Sequence, residues 1–331
     1  MQEVYCVTGA AGHLGRTVVQ DLLNQNKNVR ILVLPSEKNI PSGNLDVFVG
    51  DVTHKDSLIP FFSFNDKVKM IVIHCAGIVS ITTEYNEMVY RVNVAGTKNI
   101  VDMCMEYSVH KLIYVSSVHA LPERVNHECM CEIDSFDPSL VIGYYAKTKS
   151  EASAYVLSAI QSGLNANIIH PSGICGPFDY RRGNLTSLVI DYSYNQLKIG
   201  TDGGYDFVDV RDVSNGILTC IHQGAIGECY ILSNEYYSVK FILDTLYELT
   251  QKKKVRIYLP YRLLKHTAIY VEYFYKLSKK APLFTPYSIY TLNSNSNFSH
   301  AKATYELNYH PRPLKESLSD TIEWLRLQNR I

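Results

Sequence analysis

Short apolar runs alternate with stretches of helical periodicity through the first half of the chain. Strands are predicted at 3–8, 29–34, 45–49, 69–76, 111–116 and 166–170, and helices at 13–26, 54–63, 84–107 and 143–162. Strand-then-helix repetition of this kind implies a parallel sheet covered on both faces. The run Met70-Ile71-Val72-Ile73-His74-Cys75-Ala76 shows no in/out alternation, as a central strand buried on both sides requires. After Pro171 the regularity declines, and turn residues gather at Gly176-Pro177, Arg182-Gly183-Asn184 and Asp202-Gly203-Gly204. The pattern predicts a doubly wound α/β domain over 1–170, with return segments around 205–235. A smaller C-terminal α/β lobe, suited to binding a substrate, is predicted over 171–331.

The sharpest local signal lies at the junction of the first strand and first helix. Val4-Tyr5-Cys6-Val7 runs straight into Thr8-Gly9-Ala10-Ala11-Gly12-His13-Leu14-Gly15. Glycines spaced three apart permit a tight turn and close approach of a dinucleotide pyrophosphate. The helix that follows points its first N–H groups, and the positive end of its dipole, at the phosphates.

Composition narrows the partners. The chain has 331 residues with 46% hydrophobic content, enough for a large core, and 32 basic residues balance 32 acidic ones. That balance argues against nucleic acid or an anionic membrane surface as a partner. Eight cysteines are scattered, several of them in apolar runs, which suits a reduced cytoplasmic protein. Cys129-Met130-Cys131 holds the only close pair and has no second pair or histidine cluster beside it, so no metal site is expected. Neither a secretory signal nor an apolar run long enough to span a bilayer is expected. Leu263 to Leu277, with Arg262, Lys265, Lys276, Lys279 and Lys280 around it, reads as a helix covering a substrate pocket or packing on the main domain, in preference to an interfacial anchor.

Two further stretches carry chemistry. Val115-Ser116-Ser117 ends a buried strand, where open α/β sheets present ligand-contacting groups. Tyr145-Ala146-Lys147-Thr148-Lys149 opens a helix and sets Tyr145 and Lys149 on one face, a turn apart. A nearby ammonium favours the phenolate and is expected to lower the tyrosine pKa towards working pH. With a hydroxyl from Ser117 on the same substrate oxygen, the three form a proton-transfer and oxyanion site facing a nicotinamide ring.

Taken in order, these motifs resemble an extended short-chain dehydrogenase/reductase over nearly the whole chain. The Thr-Gly-x-x-Gly-x-x-Gly turn is Thr8 to Gly15, the Asp-Val pair near the adenine is Asp51-Val52, and the cofactor-side strand end is His74-Cys75-Ala76-Gly77. Asn93 to Thr97 matches the Asn-Val-x-Gly-Thr segment, and Pro171 to Pro177 the loop beside the nicotinamide. The resemblance implies a Rossmann-type sheet, with Tyr145 as acid/base and Lys149 tuning it and holding the nicotinamide ribose. Ser117, in preference to Ser116, would orient the substrate oxygen. It further implies cofactor contacts from Gly9, Ala11, Gly12, His13, Leu14, Gly15, Asp51, Val52, Cys75, Ala76, Gly77, Asn93, Tyr145, Lys149, Pro171, Gly173 and Ile174. Asn93 stands either as a relay residue or as an amide bonded to backbone. A homodimer through helices near 84–107 and 143–162 is implied as well.

Within that family, Phe207 to Val213, Gly227 to Leu232 and Lys302 to Pro313 resemble the dihydroflavonol-reductase-like and 3β-hydroxysteroid-dehydrogenase-like branch. Sugar-nucleotide 4,6-dehydratases carry an Asp-Glu pair after the catalytic serine or threonine. Val118-His119-Ala120 stands there instead, with His119 read as a loop residue over a second proton donor. NAD is favoured over NADP: Glu37 points to NAD, whereas Arg30 and Lys38 point to NADP. The expected activity is reversible hydride transfer between a secondary alcohol and its ketone, on a small-molecule substrate. The alternatives are a nucleotide-sugar epimerase, for which Arg181, Arg182, Lys198 and Arg211 are candidate phosphate ligands, and a noncatalytic nucleotide sensor. The substrate itself and the reaction direction depend on the variable lobe.

Overall fold

The structure is a computed structural model that describes every residue except 38, 65–66, 81–83, 261–262 and 264–285, together with the side chains of 286–288. The pocket-covering helix expected from 263 onward therefore lies outside the described residues, apart from Leu263, as does Lys38.

Seven parallel strands form the main sheet: β1 (Glu3–Thr8), β2 (Asn28–Val33), β3 (Leu45–Val49), β4 (Lys69–His74), β5 (Lys111–Val115), β6 (Ala166–Pro171) and β10 (Cys229–Leu232). Their spatial order is β10-β6-β5-β4-β1-β2-β3. Although the central runs show no alternation in sequence, their side chains alternate between two cores. Cys6, Val72, Leu112 and Ile168 face one way, under the helices α2 (Thr97–Glu106) and α3 (Tyr144–Gln161). Tyr5, Val7, Ile73, Ile113 and Ile169 face the other, under α1 (His13–Asn24) and α5 (Val210–Gln223). Both layers are apolar because parallel strands must be covered on each side.

The order of connections reverses at β1, so a crevice opens between the C-terminal ends of β1 and β4, where doubly wound sheets bind ligands. Thr8 pairs with Leu32 on one side and His74 on the other. Its carbonyl accepts from Cys75 N at 3.2 Å and its hydroxyl from Ala76 N at 3.3 Å, fixing the turn after β4 beside the glycine turn after β1.

The second half holds more strand than its sequence pattern showed. A three-stranded sheet, β11-β9-β7, is built from Glu235–Ser238, Gly204–Asp209 and Gly173–Cys175, and a two-stranded one pairs β8 (Ile199–Thr201) with β12 (Ile257–Leu259). Helices α4 (Asn184–Ser193), α6 (Val239–Thr250) and α8 (Leu314–Leu327) pack a third core around Val189, Leu246, Leu318 and Leu325. Within 205–235, α5 and β10 return to the main sheet, whereas β9 stays with the small one. The joint is ionic: Arg211 forms two 2.8 Å bonds to the fully buried Asp209 carboxylate and a 2.7 Å contact to Asp320, while Arg312 grips Asp212. Bidentate pairs of this kind fix orientation as well as distance.

Candidate active site

The glycine turn is as tight as its spacing demands. Gly9 sits at φ +69, and a Cβ there would lie 2.6 Å from Ala76 N; one on Gly15 would lie 2.3 Å from Gly9 O. Gly12 caps α1 with extended backbone and no side-chain hydrogen bond, so its first N–H groups face the crevice without a side-chain cap. His13 Nε2 meets Pro177 O at 2.8 Å and ties this turn to the loop after Pro171. An uncapped helix start, backed by a turn in which side chains have no room, fits a dinucleotide pyrophosphate.

Ser117, Tyr145 and Lys149 converge at the C-terminal edge of β5. Ser117 caps the short turn 118–120 and accepts from His119 N at 3.2 Å, and its hydroxyl faces the Tyr145 phenol. Lys149 is 5% exposed and donates to Val115 O at 2.9 Å. Its ammonium also lies close to Gly77, where a Cβ would stand 3.4 Å from Nζ. Ser116 points elsewhere, sharing a 2.7 Å hydrogen bond with Ser153.

The expected depression of the Tyr145 pKa is absent. Burial pushes the phenol up to about 12 against a smaller pull from the Ser117 hydroxyl, and burial lowers Lys149 to about 8. Desolvation disfavours the charged form of each group and is the largest influence on both.

The remaining expected contacts are distributed along the same edge. Asn93 is fully buried in a π-turn (Arg91–Gly96); it accepts from Ile78 N at 2.8 Å and donates to Ile78 O and to Thr148 Oγ1. It is thus an amide bonded to backbone, holding the strand end Cys75-Ala76-Gly77. Asp51 accepts from Thr53 N at 2.8 Å, and Val52 is buried against Gly96. Pro171 ends β6, and Gly173 and Ile174 pair with β9. Arg30 offers nothing to a 2′-phosphate: its guanidinium donates to the carbonyls of Phe61 and Ser63 and lies over the Phe64 ring at 3.7 Å. Glu37 is paired with Arg181.

His119 is a hydrogen-bonded residue of the turn after β5, as the favoured reading had it. Its ring stacks on Tyr205 at 5.7 Å, meets the Tyr205 hydroxyl through Nε2 at 3.1 Å, and sets its edge to Tyr145 at 6.0 Å. Tyr205 and Phe298 were not among the expected site residues, because pairing between β9 and distant loops brings them here and no spacing records it. The one available clue was that His119 occupies the place of the dehydratases' acidic pair. Beside these rings lies a cavity of about 120 Å³, walled by Leu121, Met130, Val141, Tyr205 and Phe298. A second, of about 570 Å³, shares Ser294 and Phe298 with it. Among the described residues, neither cavity is lined by a lysine or arginine.

A profile described as the 3-beta hydroxysteroid dehydrogenase/isomerase family matches residues 6–236. The chain belongs to that family. It is an extended short-chain dehydrogenase/reductase, an NAD(P)-dependent oxidoreductase on a Rossmann fold. Among its relatives, 3beta-hydroxysteroid-dehydrogenase/decarboxylase isoform 1 of Arabidopsis thaliana is 30% identical over 99% of this chain and 82% of its own. Sterol demethylase protein B of Methylococcus capsulatus is 26% identical over 98% and 99%. The crystal structure of gox2253 superimposes with a TM-score of 0.85 at 30% identity, covering 99% of both chains.

Three histidines of this family member are held neutral by burial: His74 falls to about 3, and His119 and His170 to about 4. The unfolded chain protonates them near pH 6.5, so stability is present above that value and is lost as pH falls towards 4. Asp206 opposes them. Burial raises it to about 7, so it loses stability as pH rises through the same range. For these four groups, three against one give a net loss on acidification of about 3 kcal/mol per pH unit, and His13, also lowered by burial, acts in the same direction. Urea titrations at pH 7, 6 and 5 should show the midpoint falling; a flat or rising midpoint would contradict the assignment of neutral histidines.

Proposed function

We propose that this protein is an NAD-dependent dehydrogenase that interconverts a secondary alcohol and its ketone on a bulky, apolar substrate of the hydroxysteroid kind. The observation that carries this reading is the Ser117, Tyr145 and Lys149 cluster set beside the smaller cavity, which is lined mainly by aliphatic and aromatic side chains and by no described lysine or arginine. The names of the Arabidopsis and Methylococcus relatives point to the same substrate class.

The Gly9 to Gly15 turn and the start of α1 would hold the diphosphate. Cys75 to Gly77, Lys149 and Pro171 to Ile174 would hold the nicotinamide half. Bound nicotinamide supplies the hydride donor or acceptor. Tyr145, neutral at rest, donates its proton to a carbonyl oxygen in reduction and takes it back in oxidation, while the Ser117 hydroxyl binds the same oxygen. Because burial keeps the phenol protonated, alcohol oxidation gains from alkaline pH and ketone reduction does not. Lys149, anchored on Val115 O, carries its ammonium to the Gly77 side of the site. NAD is preferred because Arg30 is consumed inside the protein and Glu37 stands near the end of β2.

An epimerase would need cations for a nucleotide diphosphate. Arg181 is bound to Glu37, Arg182 to Asp191, and Arg211 to Asp209 and Asp320, while Lys198 is exposed. We also assign a homodimer contact to the surface spanning 84–107 and 143–162, where Lys98 pairs with Glu151 and Tyr155 with Asp102. A cytoplasmic setting suits eight cysteines that all stand as thiols.

The test is to denature purified protein, identify and count the released nucleotide, and follow absorbance at 340 nm with NAD and a 3β-hydroxysteroid. Exchangeable NAD and substrate-dependent NADH formation are expected. Stoichiometric NAD that resists exchange, with turnover of a UDP-sugar and none of the steroid, would replace this reading with the epimerase.

A further inference from the structure

Cys129 and Cys131 flank Met130 on the loop that walls one side of the smaller cavity. Met130 donates its N–H to Asn297 O at 2.8 Å and accepts from Ser299 N at 2.9 Å, an isolated parallel bridge opposite Phe298. Extended backbone sends neighbouring side chains to opposite faces. The Met130 side chain accordingly lies buried in the cavity wall, while both cysteines are exposed on the outer side. The Cys129 thiol lies beside Cys131 and Ser299. Of the other six cysteines, five are buried and Cys75 is half-buried.

We propose that Cys129 and Cys131 form a reversible thiol–disulfide site that takes a low-molecular-weight disulfide such as glutathione disulfide as its oxidant. Partial burial and the adjoining thiol hold Cys129 above its ordinary value, so its attack comes second. The Cys131 thiolate attacks glutathione disulfide, breaking that S–S bond and releasing one glutathione. Cys129 then loses its proton and attacks the Cys131 sulfur, expelling the second glutathione. The two protein thiols are thereby oxidised by two electrons, and one glutathione disulfide is reduced to two thiols.

The geometry couples this chemistry to the cavity. Cα atoms two residues apart in a strand are separated by about 6.4–6.8 Å, at the long end of what a disulfide spans. Ring closure shortens the segment, draws Met130 out of its bridge and frees the N–H groups of Met130 and Ser299. A disulfide that is exposed and opposed by its surroundings is easily reduced, so the site reverses. Metal binding is the weaker use of the pair, since no third ligand joins it among the described residues.

Whole protein incubated with glutathione disulfide, then alkylated and mapped by mass spectrometry, tests the proposal. The expected product has lost two hydrogens in the peptide containing 129–131 and regains them with dithiothreitol. Cys129→Ser should trap one glutathione on Cys131, and Cys131→Ser should stay unmodified at Cys129. In the oxidised protein, the Met130 and Ser299 amides should exchange hydrogen faster. Two free alkylated thiols after oxidation, two glutathiones on one chain, or a disulfide at another cysteine would each overturn the site. Unchanged amide exchange in the oxidised protein would overturn its link to the cavity.

Discussion

Replacing Tyr145 by phenylalanine should cut turnover by about a thousandfold, within the range of a lost general acid/base, while nucleotide binding and the unfolding midpoint stay near those of the parent. The phenol oxygen is the only part removed, and its one assigned partner in the site is the Ser117 hydroxyl. The ring remains to pack against His119 at 6.0 Å, so the wall of the cavity persists. Steady-state kinetics at 340 nm beside an equilibrium nucleotide titration would check this. Residual activity above a tenth of the parent's would remove Tyr145 from the proton path.

The second large effect is expected at the glycine turn, where two substitutions separate folding from binding. A Cβ on Gly12 would meet only Gly9 O, at 3.1 Å, a contact the turn can relieve by a small shift. It would, however, project where phosphate must approach the α1 N-terminus. Gly12→Ala should therefore weaken NAD binding by roughly tenfold to a hundredfold, the loss of one or two charge-assisted hydrogen bonds, with little change in stability. Gly9→Ala puts its Cβ 2.6 Å from Ala76 N and 2.7 Å from Cys75 C, at a φ that L residues avoid. It should lower the melting temperature as well as abolish binding. Calorimetric titration with NAD and thermal unfolding of both variants would settle the distinction. Tight binding by Gly12→Ala would show that the pyrophosphate does not lie on this turn.

The first half of the fold was legible because its signals are local. A strand buried on both faces must be largely apolar, as Met70 to Ile73 is, and a glycine turn between strand and helix has a fixed spacing. The second half was not, because β7, β8 and β12 are three residues long and their pairing comes from partners far along the chain. The catalytic cluster was legible as a set of positions, but its electrostatics were not. Tyr145 and Lys149 lie a turn apart as the spacing requires, yet burial acts on each more strongly than either acts on the other. Arg30 read as a candidate for the cofactor, yet it is enclosed by Pro60, Phe61 and Phe64. Its place in β2 was readable, but the direction of its side chain depends on a helix thirty residues away. The partner of His119 was not readable, because β9 delivers Tyr205 from far along the chain.

The last strand to join the main sheet, β10, follows the whole of β7, β8 and β9 in the chain. During synthesis, β6 emerges some sixty residues ahead of its outer partner (Ala166 against Cys229), and for that interval it is an open edge with unpaired backbone groups. The ribosome thus delivers a sheet that carries the chemistry but has an adhesive side, and the returning segment replaces it with a shorter edge strand whose Ile231 N–H is taken by Glu132. A fragment cut near residue 170 would keep the glycine turn, Ser117, Tyr145 and Lys149, yet would present that edge to its neighbours and self-associate before it could bind anything.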